Sequence, residues 1–100
     1  MLEIIDDFYK DPELQAEIRK DFADSQADTV AKIRAHLKNN ELTAAEILAH
    51  NLKSVSAMLY EKKLAEAALA IELQLKKGEI PSENALSRLG ILINRVLQKA

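Results

Sequence analysis

Residues 46–60 read Glu46-Ile47-Leu48-Ala49-His50-Asn51-Leu52-Lys53-Ser54-Val55-Ser56-Ala57-Met58-Leu59-Tyr60. Leu48, Leu52, Val55 and Leu59 step by four, three and four, the spacing of one stripe along an α-helix. At about 100° per residue the stripe centres near Leu48 and Leu52, and His50 falls roughly 190° away from it. A histidine held for packing would lie on the stripe. This one points outward, beside Glu46, Lys53, Ser54 and Ala57. Just upstream, Thr43 and Glu46 have the spacing of a T-x-x-E capping box, and Leu42 and Ile47 that of a hydrophobic staple. These signals predict a helix over 43–60 with His50 about two turns inside it.

Working outward, Leu64, Ala68, Ile71 and Leu75 repeat the four-three-four step and predict a helix over 61–77, with Leu69 and Leu73 widening its apolar face. Lys76-Lys77-Gly78 is a good stop, with cations at the negative end of the helix dipole and then glycine. Upstream, Asp11-Pro12 is a start signal. Leu14, Ile18 and Phe22, then Val30, Ile33 and Leu37, predict one long helix over 12–38, weak in its small, polar middle and bent or broken near Asp24-Ser25. Asn39-Asn40 ends it. Pro81-Ser82 opens a last helix over 82–98, with Leu86, Leu89, Ile93, Val96 and Leu97 facing inward. Gly90 inside that run costs roughly 1 kcal/mol against alanine and is read either as a close helix contact or as tolerated. Residues 1–11 read as a short N-terminal helix packed through Ile4, Ile5 and Phe8, too short to be stable alone.

These elements define an all-α protein: an up-down-up-down four-helix bundle with a short N-terminal helical segment, one domain over 1–100. Composition agrees. A hydrophobic fraction of 48% with only two Phe and two Tyr calls for a core of Leu, Ile, Val and Ala, and two Gly and two Pro are too few for a many-stranded β-fold. A net charge of −2 with no basic run gives no reason to expect a nucleic-acid partner. The absence of cysteine excludes disulfides and thiolate metal sites. No apolar run reaches membrane-spanning length and no secretory signal is present, so a cytoplasmic protein is expected.

His50-Asn51-Leu52-Lys53-Ser54, followed by Ser56, Leu59, Leu64, Ile71 and Glu72, resembles the histidine phosphotransfer (HPt) domain, whose pattern is H-x-L-K-G-x-A/S, with a leucine after the turn and an L/I-E pair closing the hairpin. The register holds without gaps from His50 to Glu72. Phe22 and the Val30/Ile33/Leu37 stripe fit the helix that precedes the histidine helix in that family. Two positions depart from the pattern. Ser54 stands where the family has glycine, and being small it still admits a partner. Tyr60 replaces the glycine of the hairpin turn, so the junction there is expected to be straighter or differently capped.

The resemblance implies a phosphorelay intermediate of a two-component system. His50 would accept a phosphoryl group from the aspartyl phosphate of one receiver domain and pass it to another, neutral imidazole being a nucleophile near pH 7. Lys53 would neutralise phosphate oxygens, while Ser54 would give steric access and a hydroxyl donor. Glu46, Ile47, Ala57 and Met58 would form the partner-binding rim. Glu46 could also orient the ring, although a carboxylate so near phosphate repels it. The partners implied are receiver domains of response regulators or hybrid sensor kinases. No cofactor is expected, Mg²⁺ belonging to the receiver. The chain has no ATP-binding region and so no ATP-dependent kinase activity of its own, and it is expected to be a monomer.

A lone exposed histidine is usually only a surface residue; here the H-x-L-K context and the outward angle favour function. His36 has neither. It lies about 90° off the Val30/Ile33/Leu37 stripe and lacks Leu-Lys at the family spacing. A His36/His50 metal site finds no third ligand by spacing, and no Ser-His-Asp, paired-carboxylate or Gly-rich phosphate motif occurs. Two alternatives stand beside the relay: a non-phosphorylated helical module that binds or sequesters a response regulator, and a structural dimer-forming bundle.

Overall fold

Asp11 starts the first helix as its residue type predicts. In a computed structural model describing residues 11–99, its Oδ1 accepts the backbone N–H of Glu13 at 2.8 Å and of Leu14 at 3.3 Å, with Pro12 in the first turn. The short N-terminal helix expected of Ile4, Ile5 and Phe8 lies outside the described residues. Helix α1 spans Pro12–Gln26 and α2 spans Thr29–Lys38. The expected single helix over 12–38 is therefore two, interrupted at Ala27-Asp28 rather than at Asp24-Ser25. Ser25 stays helical, its hydroxyl donating back to the Asp21 carbonyl at 2.7 Å. Asp28 leaves helical geometry at φ −110° and ψ 14°, and the chain restarts with Thr29 and Val30 turned into the core.

Three helix ends share one reversal, in which a residue in the left-handed region lets two consecutive N–H groups reach back to the last turn. After α2, Asn40 (φ 61°) donates to the Leu37 carbonyl at 3.1 Å and Glu41 to that of His36 at 2.7 Å. After α3 (Leu42–Met58), Tyr60 (φ 58°) donates to Ala57 at 3.0 Å and Glu61 to Ser56 at 2.9 Å. After α4 (Lys62–Lys76), Gly78 (φ 79°) donates to Leu75 at 3.0 Å and Glu79 to Gln74 at 2.9 Å. The hairpin junction is thus neither straighter nor differently capped. Tyrosine takes the conformation a glycine would take, against the preference of an L-residue. Ser82 Oγ then accepts the Ala85 N–H at 3.1 Å and opens α5 (Glu83–Gln98).

The capping box did not form. Helix α3 begins at Leu42 behind Glu41, with no side-chain cap bond. Thr43 already lies in the first turn, and Ile47, the far half of the expected staple, is 53% exposed. The reversal at Asn40 brings the chain round so sharply that Glu41 becomes the boundary residue and Leu42 enters the helix at once. His50 still sits about two turns in.

The bundle has four legs running up, down, up and down, with α1 and α2 together forming the first. Both pack on α3 and α5, and the most extensive pairing joins α3 to α4. Phe22, Ile33, Leu52, Leu64, Ile71, Leu89 and Ile93 fill the centre. Burying a side chain of this size is worth about 1.5–3 kcal/mol each. At the hairpin tip, Glu61 is gripped by Arg19 of α1 at 3.3 Å and by Lys99, just past α5, at 3.0 Å.

The α3–α4 seam is built from small residues. Ala45, Ala49 and Ser56 of α3 and Ala68 of α4 have no exposed surface, so the two backbones approach closely. The Ser56 hydroxyl is satisfied within its own helix, donating to the Leu52 carbonyl at 2.6 Å. This seam corrects the expected apolar stripe. Leu48 and Val55 are only half-buried, and the buried line runs through Ala45, Ala49, Leu52, Ser56 and Leu59. Its centre lies roughly 140° from His50, which places the histidine on the flank that overlooks α4. On α4, Leu69 and Leu73 do not widen the core face: they are 38% and 46% exposed. Gly90 is not a close-contact glycine either, since a Cβ there would lie 3.9 Å from Val30 Cγ2, an ordinary contact.

Candidate functional site

His50 leaves α3 toward solvent with its side chain 52% exposed, and its Nδ1 lies 2.8 Å from Glu72 Oε2 on α4. A carboxylate can only accept, so the proton of the neutral ring sits on Nδ1 and Nε2 carries the lone pair. The bond crosses the small-residue seam; bulkier residues there would hold the helices too far apart for it.

Glu72 is 3% exposed, between Ile71 and Leu75 on the buried face of α4. A carboxylate in such a place needs charge compensation. Two lysines supply it, and the neutral His50 ring adds a hydrogen bond. His50 and the Lys76 ammonium, at 3.6 Å, both meet Oε2, while the Lys53 ammonium lies 3.5 Å from Oε1. Oε1 is buried and makes no hydrogen bond, so Lys53 is its charge partner. Burial pushes the Glu72 carboxyl up, but the His50 hydrogen bond and the Lys53 and Lys76 charges outweigh it and hold the group below its ordinary value. Glu72 is thus ionised at neutral pH, and it ties together an imidazole and two ammoniums from two helices.

The remaining predicted residues fall as follows. Ser54 is half-exposed and its hydroxyl donates to the His50 carbonyl at 3.1 Å, so it is small as expected but spends its proton on its own helix. Glu46 is half-buried; the carboxylate on the ring is Glu72. Ile47 and Ala57 are exposed on α3, and Met58 is half-buried, its carbonyl accepting the Gln15 side-chain amide at 2.9 Å. His36 makes a bond of its own to Glu41, Nδ1 to Oε1 at 2.9 Å, but among the described residues no lysine contacts that carboxylate.

Glu72 and Lys76 are the residues whose part here was not anticipated. The signal was present: with Leu64, Ala68, Ile71 and Leu75 defining a buried stripe, Glu72 falls on it, and an acid on an apolar stripe demands a partner. Lys76 follows at i+4. Among the described residues no group of three or more His, Cys, Asp or Glu could hold a metal ion, and no helix is long and apolar enough to cross a membrane.

The model of the Hpt domain family matches residues 17–99, which takes in every site residue named above. The chain belongs to this family of histidine phosphotransfer domains. Its members carry phosphoryl groups in two-component signalling and meet receiver domains in doing so. No curated protein and no solved structure matches the chain.

Proposed function

We propose that this protein is a phosphorelay intermediate in which His50 receives a phosphoryl group from a receiver aspartate and hands it to another receiver. The observation that carries the reading is the His50–Glu72 bond, which fixes the ring with the Nε2 lone pair turned to solvent. That lone pair attacks phosphorus in line with the aspartyl oxygen. The Nε2–P bond forms, the P–O bond breaks, and the carboxylate departs with the electron pair. The ring now bears phosphoryl on Nε2 and hydrogen on Nδ1, a cation beside the Glu72 carboxylate. Retention of that proton keeps the imidazole a good leaving group, so the same site can give the phosphoryl group up again.

Lys53 offsets charge on the phosphoryl oxygens, and the small Ser54 leaves room for a receiver to approach. Glu46, Ile47, Ala57 and Met58 form the docking rim. The exposed Leu69 and Leu73 of α4 extend the apolar surface of the hairpin beside it. The receiver supplies the acidic pocket and its Mg²⁺; the HPt protein needs no cofactor, acts as a cytoplasmic monomer, and has no ATP-dependent activity of its own. His36, with the same ring-to-carboxylate bond but no lysine on Glu41 among the described residues, is not an acceptor.

Incubation with a phosphorylated receiver tests the reading. Acid-labile label should move to the wild-type protein and not to His50→Gln. Receiver binding without transfer would favour the alternative, a module that sequesters a response regulator.

A further inference from the structure

Tyr60 sits in the left-handed region at φ 58°, a conformation disfavoured for a residue with a Cβ and open to glycine. Burial does little to offset that cost, the residue being 48% exposed. A side chain kept at a strained turn points to a use for the side chain itself. Among the described residues, Tyr60 lines a pocket of about 440 Å³ at the hairpin tip together with Ala57 of α3 and Lys62 and Ala65 of α4. The two alanines leave space there that larger side chains would fill. The pocket lies on the acceptor's face of the hairpin. Ala57 follows His50 by seven residues and Ala65 precedes Glu72 by seven, which is two helical turns with a residual rotation of about 20°. The helix pair that joins His50 to Glu72 therefore brings Ala57 and Ala65 to the pocket about 10 Å nearer the turn. A protein–protein interface of ordinary size covers about 800 Å² per partner and so reaches roughly 16 Å from its centre. A receiver centred on His50 covers the pocket.

We propose that Tyr60 is a selectivity residue for receiver docking, its ring walling a pocket that takes an apolar side chain of the receiver. This rests on the relay reading, in which receivers dock over His50. Tyrosine suits the role: it offers a large contact area with only two side-chain torsions to fix, and aromatic anchors carry a disproportionate share of interface energy. Lys62, the first residue of α4, adds a cation to the lining, its stem on the apolar surface and its ammonium toward water. The side chain that fits is therefore apolar with a carboxylate beside it. Glycine at 60, the residue of the resembled pattern, would leave no wall. A receiver matched to this protein thus gains a contact that an unmatched one lacks, and the gain lies in binding rather than in the chemical step.

Single-turnover transfer from a panel of phosphorylated receivers, each at several concentrations, tests this with Tyr60→Gly, Tyr60→Phe, Ala65→Leu and His50→Gln beside the wild type. For the receiver that the wild type uses best, Tyr60→Gly should raise the half-saturating concentration about tenfold, the size of one truncated interface anchor. Ala65→Leu, which fills the pocket, should do the same, and Tyr60→Phe should stay near the wild type. Receivers that the wild type uses poorly should change little, so the spread across the panel narrows. An unchanged half-saturating concentration in Tyr60→Gly or Ala65→Leu would overturn the proposal, as would a uniform shift across the panel or a loss confined to the saturating rate. Unchanged transfer with a lowered urea midpoint would make the ring a packing element of this chain. A mass that rises with protein concentration in the wild type but not in Tyr60→Gly would give the pocket to a second copy. Calorimetric binding of the same receivers to His50→Gln and to His50→Gln with Tyr60→Gly keeps the two readings apart. Label on His50→Gln would remove the acceptor, while these affinities would still decide the part of Tyr60.

Discussion

Glu72 Oε2 lies 2.8 Å from His50 Nδ1, so a carboxylate buried in one helix fixes the exposed imidazole of its neighbour. The arrangement divides the work. The buried end sets tautomer and orientation, and the exposed end keeps its lone pair for chemistry.

Glu72→Gln keeps an acceptor oxygen for the Nδ1 proton but removes the charge that stabilises the ring once it is phosphorylated. Transfer should slow by roughly 10- to 100-fold, by analogy with the loss of a carboxylate that orients a metal-bound histidine. The helical circular dichroism should be unchanged. Full activity in this variant would leave Glu72 a structural residue only.

Stability should depend on pH through the same group. Glu72 is held below its ordinary value in the folded protein, so at a pH between the folded and unfolded values the unfolded chain binds more protons, and stability rises with pH. The contribution is complete above the ordinary glutamate value of about 4.3 and is lost as pH falls through the lower, folded value. Urea unfolding of wild type and Glu72→Gln from neutral pH downward checks this. The stability difference between them should be constant near neutrality and shrink below about pH 4; parallel curves would contradict it.

Tyr60 holds φ at 58°, a conformation that costs an L-residue about 1–2 kcal/mol and glycine little. Part of that gain is offset by the greater freedom of glycine in the unfolded chain. Tyr60→Gly should therefore be more stable than Tyr60→Ala, which loses the same ring but keeps a Cβ at this φ, by about 0.5–1 kcal/mol, read as a higher urea midpoint at unchanged slope.

Gly90 makes the opposite case. It lies within α5 with room for a methyl group at an ordinary distance from Val30. Gly90→Ala should raise stability by about 0.5–1 kcal/mol. A lower midpoint would mean that α2 and α5 pack more tightly than this contact indicates.

The bundle was legible because periodic leucines and polar caps act locally. Asp11, Ser82, Gly78 and Asn40 each close or open a helix as their residue types predict. The capping box at Thr43 was not, because the tertiary reversal at Asn40 fixes where α3 starts and overrides a local signal. The histidine was readable as an outward residue within a motif. Its partner was harder to read, for a physical reason. Weighting the stripe by leucines set the centre of α3 near Leu48 and Leu52 and turned His50 directly away from every helix. The seam is in fact lined by Ala45, Ala49 and Ser56, which weigh little in a hydrophobic count but decide how closely helices pack. Shifting the centre toward them brings His50 over α4, where Glu72 waits. Lys76, read as a charge for the helix dipole, sits at that same place for a second reason.

The most direct test is to phosphorylate ¹⁵N-histidine-labelled protein from a receiver and locate the phosphoryl group by NMR. Phosphate should appear on Nε2 of His50, with Nδ1 still protonated and hydrogen-bonded to Glu72. Phosphate on Nδ1, or on His36, would contradict it.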